Sequence, residues 1–226
     1  MHLHIITLTS LALLANASPI PGTQRHSTTL HPYHPPSSHH HPIRDLLITP
    51  GQLIAIAPTS TTCDNPPAPG ECATAFHAAP RINEAFFTYA VFSPAEQAAL
   101  ISLMAFETLD FKYNRNHFPG VPGQGTRNMQ SPAFNKQYAL SIPEIRGKVS
   151  DDVAANLDLL LSNERWDFGS AAWFLVSQCT EDQRRDLQSG SEQGWEAYIS
   201  GCVGTTVTDA RREYWTRAIE VLDVNS

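Results

Sequence analysis

Apolar residues recur with a helical period over most of the chain after residue 81, and this pattern predicts a series of amphipathic and buried helices. The strongest helix start is Ser93, which we expect to be the N-cap, with Pro94 at the first position and Glu96 completing a capping box. That helix should run from about 94 to 108. Further helices are predicted over 82–89, 151–161, 168–179, 181–188, 192–200 and 209–222. The expected fold class is therefore all-α.

Two stretches interrupt the helical pattern. Residues 46–57 alternate poorly and predict one short strand or an extended arm, followed by a Pro-rich loop over 58–69. Residues 111–132 contain three Gly and three Pro, together with several Asn, and predict a long loop that could include a small hairpin.

The N-terminal 44 residues have a different composition from the rest of the chain. An apolar run over 5–15 precedes Ala15-Asn16-Ala17, a small-x-small cleavage pattern, so residues 1–17 are interpreted as a signal peptide. Residues 18–44 are rich in His, Pro and Ser and predict a disordered leader. The expected organisation continues with an extended arm and disulfide loop over 45–80 and a helical domain over 81–226. The product is expected to be secreted and extracellular.

Four cysteines in 226 residues fit that compartment and predict two disulfides. Cys63 and Cys72 bracket a short Pro-rich loop and should pair, which leaves Cys179 to pair with Cys202. Too few further ligands are available for zinc, so no metal site and no cofactor are expected. A net charge of -7 without a basic block argues against nucleic-acid binding, and no segment is long enough to anchor the chain in a membrane.

Glu107 is the candidate catalytic residue. It lies on the last turn of a largely apolar helix, beside Phe106 and Leu109, where burial and the helix dipole should both raise the carboxyl pKa. The loop that follows at once contains no Asp or Glu. A carboxylic acid with a raised pKa that faces a polar loop is suited to general acid catalysis. The alternative is a solvated Glu at a helix end.

Several short motifs around Glu107 resemble the lysozyme superfamily. The segment Glu-Thr-Leu-Asp-Phe-Lys-Tyr-Asn over 107–114 and the segment Gly-Thr-Arg-Asn-Met-Gln over 125–130 look like the goose-type lysozyme and lytic transglycosylase branch. Tyr198-Ile-Ser-Gly201 resembles a further motif of that branch, with Ile199 in place of Asn. The resemblance covers roughly residues 94–218.

The resemblance implies a helical lysozyme-like domain that cleaves a β-1,4-linked N-acetylhexosamine polymer such as peptidoglycan or chitin. Glu107 would then be the single acid/base, and Asp110 a possible secondary carboxylate. The substrate-binding residues would be Tyr113, Asn114, Arg127, Asn128, Gln130 and Tyr198. The expected partner is a cell-wall glycan, and the expected state is a monomer.

Two other interpretations remain open from the sequence. The first is a non-catalytic secreted glycan-binding or effector protein on the same fold, because one fold hosts many functions. The second is a structural or surface protein in which the His-rich leader is the active part.

Overall fold

A computed structural model of the protein describes residues 47–224, and within this range the fold is all-α, as expected. The signal peptide, the leader and the last two residues lie outside the described part. The α-helices are α1 (Pro50–Ile56), α2 (Ala75–Thr88), α3 (Pro94–Glu107), α4 (Pro132–Ser141), α5 (Val153–Leu161), α6 (Glu164–Gln178), α7 (Glu181–Gln188), α8 (Glu192–Ala197) and α9 (Asp209–Val221). No helix of this range is long and apolar enough to cross a membrane.

Helix α3 is the centre of the main hydrophobic core. Its residues from Ala95 to Ala105 are all buried, because neighbouring helices cover it on every side, α9 most extensively. The rings of Trp195 and Trp215 stack in the same core with centroids 5.6 Å apart. A smaller cluster joins α4, α5 and α6 around Tyr138, Leu160 and Trp173.

The segment predicted as a short strand or extended arm is instead helical. Thr49 and Gln52 form a capping box at the start of α1, and Leu53 and Ile56, three residues apart, are fully buried. This spacing places both side chains on one face of a helix. The prediction of a short strand or extended arm over 46–57 was wrong because a helix of 7 residues is too short to show a clear helical period.

Two other elements differ from expectation. Helix α2 begins at Ala75, seven residues before the predicted start, and accommodates an exposed Pro80. Helix α4 follows the long loop directly, with Ser131 accepting a hydrogen bond from the Phe134 amide and Pro132 at the first position. The long loop itself contains isolated bridges from Gly125 to Arg115 and to Gln130 in place of a hairpin.

The predicted capping box at the start of α3 does not form. Ser93 is the N-cap, but its side chain makes no capping hydrogen bond. Glu96 is buried and pairs with Arg184 of α7, whose Nε lies 2.8 Å from a carboxylate oxygen. A buried charge gains more from a guanidinium than from a backbone amide, so Glu96 turns towards α7.

Both predicted disulfides are present. Cys63 and Cys72 have Cα atoms 5.8 Å apart and close the loop before α2. Cys179 and Cys202, with Cα atoms 5.3 Å apart, join the end of α6 to a π-helical turn over Tyr198–Val203 that continues α8. The first bridge therefore closes an irregular loop on itself, and the second fixes the end of α6 against the π-helical turn.

Candidate functional site

Two cavities of about 250 Å³ and about 280 Å³ meet at the C-terminal end of α3. They share Glu107, Gln124 and Met129, and together we call them the Glu107 groove. The first cavity is further lined by Phe106, Leu109, Tyr113, Arg115, Asn116, His117 and Phe118. The second is further lined by Leu103, Asn128, Gln130, Ser131, Phe134, Phe174, Val203, Gly204, Thr205 and Arg211. Aromatic and aliphatic side chains therefore lie on both sides of Glu107.

A tight turn after α3 fixes the position of Glu107. The Thr108 hydroxyl donates to the Met104 carbonyl at 2.6 Å and accepts from the Phe111 amide at 3.0 Å, which ends the helix. The next three residues, 109–111, all adopt left-handed backbone conformations, with φ from 51° to 65°. Such conformations are unfavourable for non-glycine residues and persist only where the surroundings hold them.

Asp110 supplies much of that restraint and does not lie in the groove. It is 3% exposed and accepts hydrogen bonds from the Thr59 amide, the Thr59 hydroxyl and the Tyr214 hydroxyl, at 2.7 to 2.9 Å. Its carboxylate thus connects the turn to α9 and to the segment after α1. The structure places it as a support for the turn, and this position does not favour its role as the possible secondary carboxylate beside Glu107.

Glu107 forms an ion pair with Arg211 of α9 across the groove. The Arg211 Nη2 atom lies 2.6 Å from a Glu107 carboxylate oxygen, and the two side chains are 11% and 19% exposed. The guanidinium lies over the Phe106 ring, 4.2 Å from its centroid. Burial raises the pKa of Glu107, and the nearby Arg211 charge opposes that shift without cancelling it. The direction agrees with the sequence-based expectation.

Arg127 holds the long loop in place from the inside. Its side chain is buried, and its Nε lies 2.8 Å from the Asp167 carboxylate. Its remaining nitrogens donate to the backbone carbonyls of Phe111, Tyr113 and Glu71 at 2.9 to 3.0 Å. Asn114 donates to the same Asp167 carboxylate. The predicted substrate-binding residues Arg127 and Asn114 are therefore not brought into the groove; they connect the loop to α6.

The remaining predicted site residues divide between the groove and the core. Tyr113 lines the first cavity, and Asn128 and Gln130 line the second. Gln130 donates to Asn135 at 2.8 Å, which anchors it to α4. Tyr198 is 1% exposed and lies in the main core outside both cavities, with its hydroxyl unpaired. Its role in substrate binding is not supported by this position.

Sequence reasoning missed several groove residues, above all Arg211. Arg211 lies about a hundred positions from Glu107 and is one of several arginines on α9, so the sequence contained no local signal for it. His117 was also missed: it contacts the Tyr113 ring and lies 2.8 Å from the Glu71 carboxylate, which also accepts the Asn114 and Arg115 amides. Phe134 and Phe174 come from two helices that only tertiary packing brings together.

A curated protein of Fusarium oxysporum (strain Fo5176), described as a bifunctional dioxygenase (DOX)-epoxy alcohol synthase (EAS), is 44% identical to the chain over 150 residues. The match covers 62% of this chain and 12% of the relative, so the chain spans a small part of the relative's length. The relative is named as an enzyme. No family model matches the chain, and no solved structure matches it.

This relative corrects the interpretation drawn from the short motifs. Its name describes oxidative chemistry, so the identification with the lysozyme superfamily was wrong, and so was the assignment of glycan cleavage. The expectation of peptidoglycan or chitin as a partner was wrong for the same reason. The motifs were short and imperfect, whereas the match to the relative extends over 150 residues. The geometry around Glu107 does not depend on that identification.

The described residues contain no cluster of ligands for a metal ion of the kind that often carries oxygen chemistry. Such centres are commonly held by His or Cys side chains. All four cysteines are in disulfides, and residues 47–224 contain two histidines, His77 and His117. No group of three His, Cys, Asp or Glu in this range is arranged to hold a metal ion.

Proposed function

We propose that the chain is a substrate-binding module of fatty acid oxidation, and that the Glu107 groove binds a fatty acid or an oxygenated fatty acid. The observation that carries the proposal is the lining of the groove, which places apolar side chains on both sides of one partly buried ion pair. An elongated ligand with an apolar chain and a polar group matches this arrangement of surfaces. The relative's name, a dioxygenase and epoxy alcohol synthase, favours the same ligand class.

The size of the groove agrees with a small-molecule ligand. The two cavities together reach the range of about 300 to 1,000 Å³ that is typical of ligand pockets. Leu109 and Phe118 are exposed at 57% and 83%, beside the first cavity, although both are large apolar residues. Their burial by a bound hydrocarbon chain would contribute favourably to binding.

Leu109→Asn tests the proposal with little risk to folding. Leu109 has a left-handed φ of 51°, a conformation that Asn tolerates better than Leu, so the variant should fold at least as well as the parent. It removes an apolar surface from the first cavity. Isothermal titration with linoleic acid should show binding by the parent and about three- to tenfold weaker binding by the variant, as expected for part of a leucine side chain's burial.

Leu140→Asn is the matched control, because Leu140 is exposed on α4 and lies outside both cavities. It should leave the affinity for linoleic acid unchanged. A chitin oligomer should not bind to any of the three proteins. Absence of linoleic acid binding by the parent protein would contradict the proposal.

A second candidate function is acid catalysis on an oxygenated fatty acid, favoured by the raised pKa of Glu107 in the groove. A protonated Glu107 could donate its proton to an epoxide oxygen while a carbon–oxygen bond breaks, and a water molecule would add to that carbon and return a proton. Incubation of the protein with an epoxy fatty acid in ¹⁸O-labelled water should then yield a labelled diol. Glu107→Gln should abolish the product while retaining binding.

We also propose that the protein is secreted. Two disulfides in a chain of this length are typical of an oxidising compartment. Recovery of the protein from the culture medium with its N-terminus after residue 17 would support this proposal.

A further inference from the structure

Arg211 has donor capacity that the protein does not use. Its Nη2 atom is paired with Glu107 and lies 3.5 Å from the Thr205 hydroxyl, whereas its Nη1 atom is buried without a hydrogen-bond partner. A guanidinium has five N–H donors in a planar fork that matches a carboxylate. An unsatisfied buried donor costs free energy. The Arg211 side chain is 11% exposed and lines the second cavity, so a carboxylate ligand there would approach the exposed part of this side chain.

Within residues 47–224, Arg211 is the one cationic side chain that lines the second cavity. The other residues that line it are apolar or neutral, apart from Glu107. The first cavity contains Arg115 and His117, but these pair with Asp158 and Glu71 respectively. An anionic ligand that enters the groove therefore meets an available positive charge at Arg211, with apolar surfaces such as Phe134 and Phe174 beyond it for its chain.

Glu107 already occupies one side of that cation, so a second carboxylate creates a conflict. Two carboxylates that share one guanidinium in a half-closed groove repel each other, and one proton relieves this repulsion. Burial already raises the pKa of Glu107. The other titratable groups that line the groove with it are Tyr113, Arg115 and His117 on the loop. Tyr198 lies buried on the π-helical turn, and farther along α3 Glu96 is neutralised by Arg184. No second free cation offsets the added negative charge among the groove residues that the structure describes.

We propose that Arg211 anchors the carboxylate of the bound fatty acid and that binding adds one proton to the pair formed by this carboxylate and Glu107. The inference rests on the proposed function and deepens it, because it assigns the ligand's polar group and makes binding dependent on pH. Affinity for the carboxylate should fall as pH rises, by up to about tenfold per pH unit above the pKa of Glu107 in the free protein.

The experiment is isothermal titration of the full chain with linoleate and with the alcohol of the same chain length, each in two buffers of different ionisation enthalpy. Linoleate should bind with uptake of about one proton, and the alcohol with none. Glu107→Gln should bind linoleate at least as tightly as the parent and without proton uptake, because the competing carboxylate is absent. Arg211→Gln should weaken linoleate binding by at least about tenfold and alcohol binding by less than about threefold.

Arg212→Gln is the matched control, since Arg212 follows Arg211 on α9 but pairs with Glu192 and Glu196 outside the groove. It should leave both ligands unaffected. If Arg211→Gln does not fold, the number of protons taken up on linoleate binding by the parent and by Glu107→Gln tests the inference instead. Equal affinities for linoleate and the alcohol, or linoleate binding without proton uptake, would contradict the role of Arg211 as the carboxylate anchor. The proposal that the groove binds lipid would still stand. Failure of both ligands to bind would overturn the proposed function itself.

Discussion

The long loop has no regular backbone pairing, and Arg127 supplies hydrogen bonds to its carbonyls instead. Three backbone carbonyls and the Asp167 carboxylate accept its hydrogen bonds, and its guanidinium lies 4.6 Å from the centroid of the Phe168 ring. In a helix or a sheet, regular backbone pairing would satisfy such carbonyls. Here one buried side chain performs that function for two separate segments of the chain, the loop and the residue before Cys72.

Arg127→Met should therefore destabilise the protein strongly. The substitution leaves the Asp167 carboxylate buried without its cation and removes the Arg127 hydrogen bonds to the Tyr113 and Glu71 carbonyls, whereas the Phe111 carbonyl keeps the Ala73 amide as a donor. The loss is expected to cost about 3 to 5 kcal/mol. Chemical denaturation should show this as a lower midpoint of unfolding. Arg115→Met is the control: Arg115 forms an exposed ion pair with Asp158, so its loss should cost less than about 1 kcal/mol. Similar costs for the two variants would contradict this account of Arg127.

At the scale of whole elements, the link between α3 and α7 depends on one charged pair. Glu96 is 1% exposed, and Arg184 binds it through both Nε and Nη2. A buried carboxylate is costly without its partner. The position of α7 against α3 should therefore depend on this pair more than on the single buried apolar residue of α7, Leu187.

A double-mutant cycle tests this link. Arg184→Met should destabilise the protein by about 2 to 4 kcal/mol, because it leaves the Glu96 charge buried and unpaired. In the Glu96→Gln background the same substitution should cost much less, giving a coupling of about 1 to 3 kcal/mol in denaturation experiments. A coupling near zero would show that the pair contributes nothing to the attachment of α7.

The elements that sequence reasoning predicted well are those whose side chains show a clear period. Helices α3, α5, α6, α7 and α9 all begin and end within a few residues of their predicted bounds, apart from the earlier start of α6. Helix α1 was missed because it is short, and α4 because its Ser-Pro start was assigned to the preceding loop. Glu107 was singled out as a candidate from its place at the end of an apolar helix, and its role stays a prediction. Arg211 could not be singled out in this way, because its pairing with Glu107 depends on how α9 crosses α3.

The described part of the molecule is closed by contacts between its first and last helices. Helix α1 packs against α9, and Arg217 of α9 donates to the Ile56 carbonyl at 3.0 Å. The main core runs from Ile48 to Ala218, so both ends of this part belong to one hydrophobic cluster. Unfolding of either end should consequently expose the same core.

Limited proteolysis of the whole chain tests this expectation together with the predicted leader. The composition of residues 18–44 predicts early cleavage in that stretch, whereas residues 47–224 should persist as one resistant fragment because their ends are packed together. Mass spectrometry of the fragments gives the cleavage sites. Protection of residues 18–44 equal to that of the helices would contradict the leader, and early cuts between α1 and α2 would contradict the shared core.

In the loop after α3, the residues that set the path of the backbone are not the residues that face the groove. This difference affects how the sequence can diverge. Leu109, Phe118 and Met129 line the groove, yet the path of the loop depends on Arg127 and Asp110. Leu109 and Met129 also have left-handed backbones that Asn or Gly would adopt readily. A duplicated gene could therefore change its ligand by a few substitutions at these positions without first acquiring a stabilising change elsewhere.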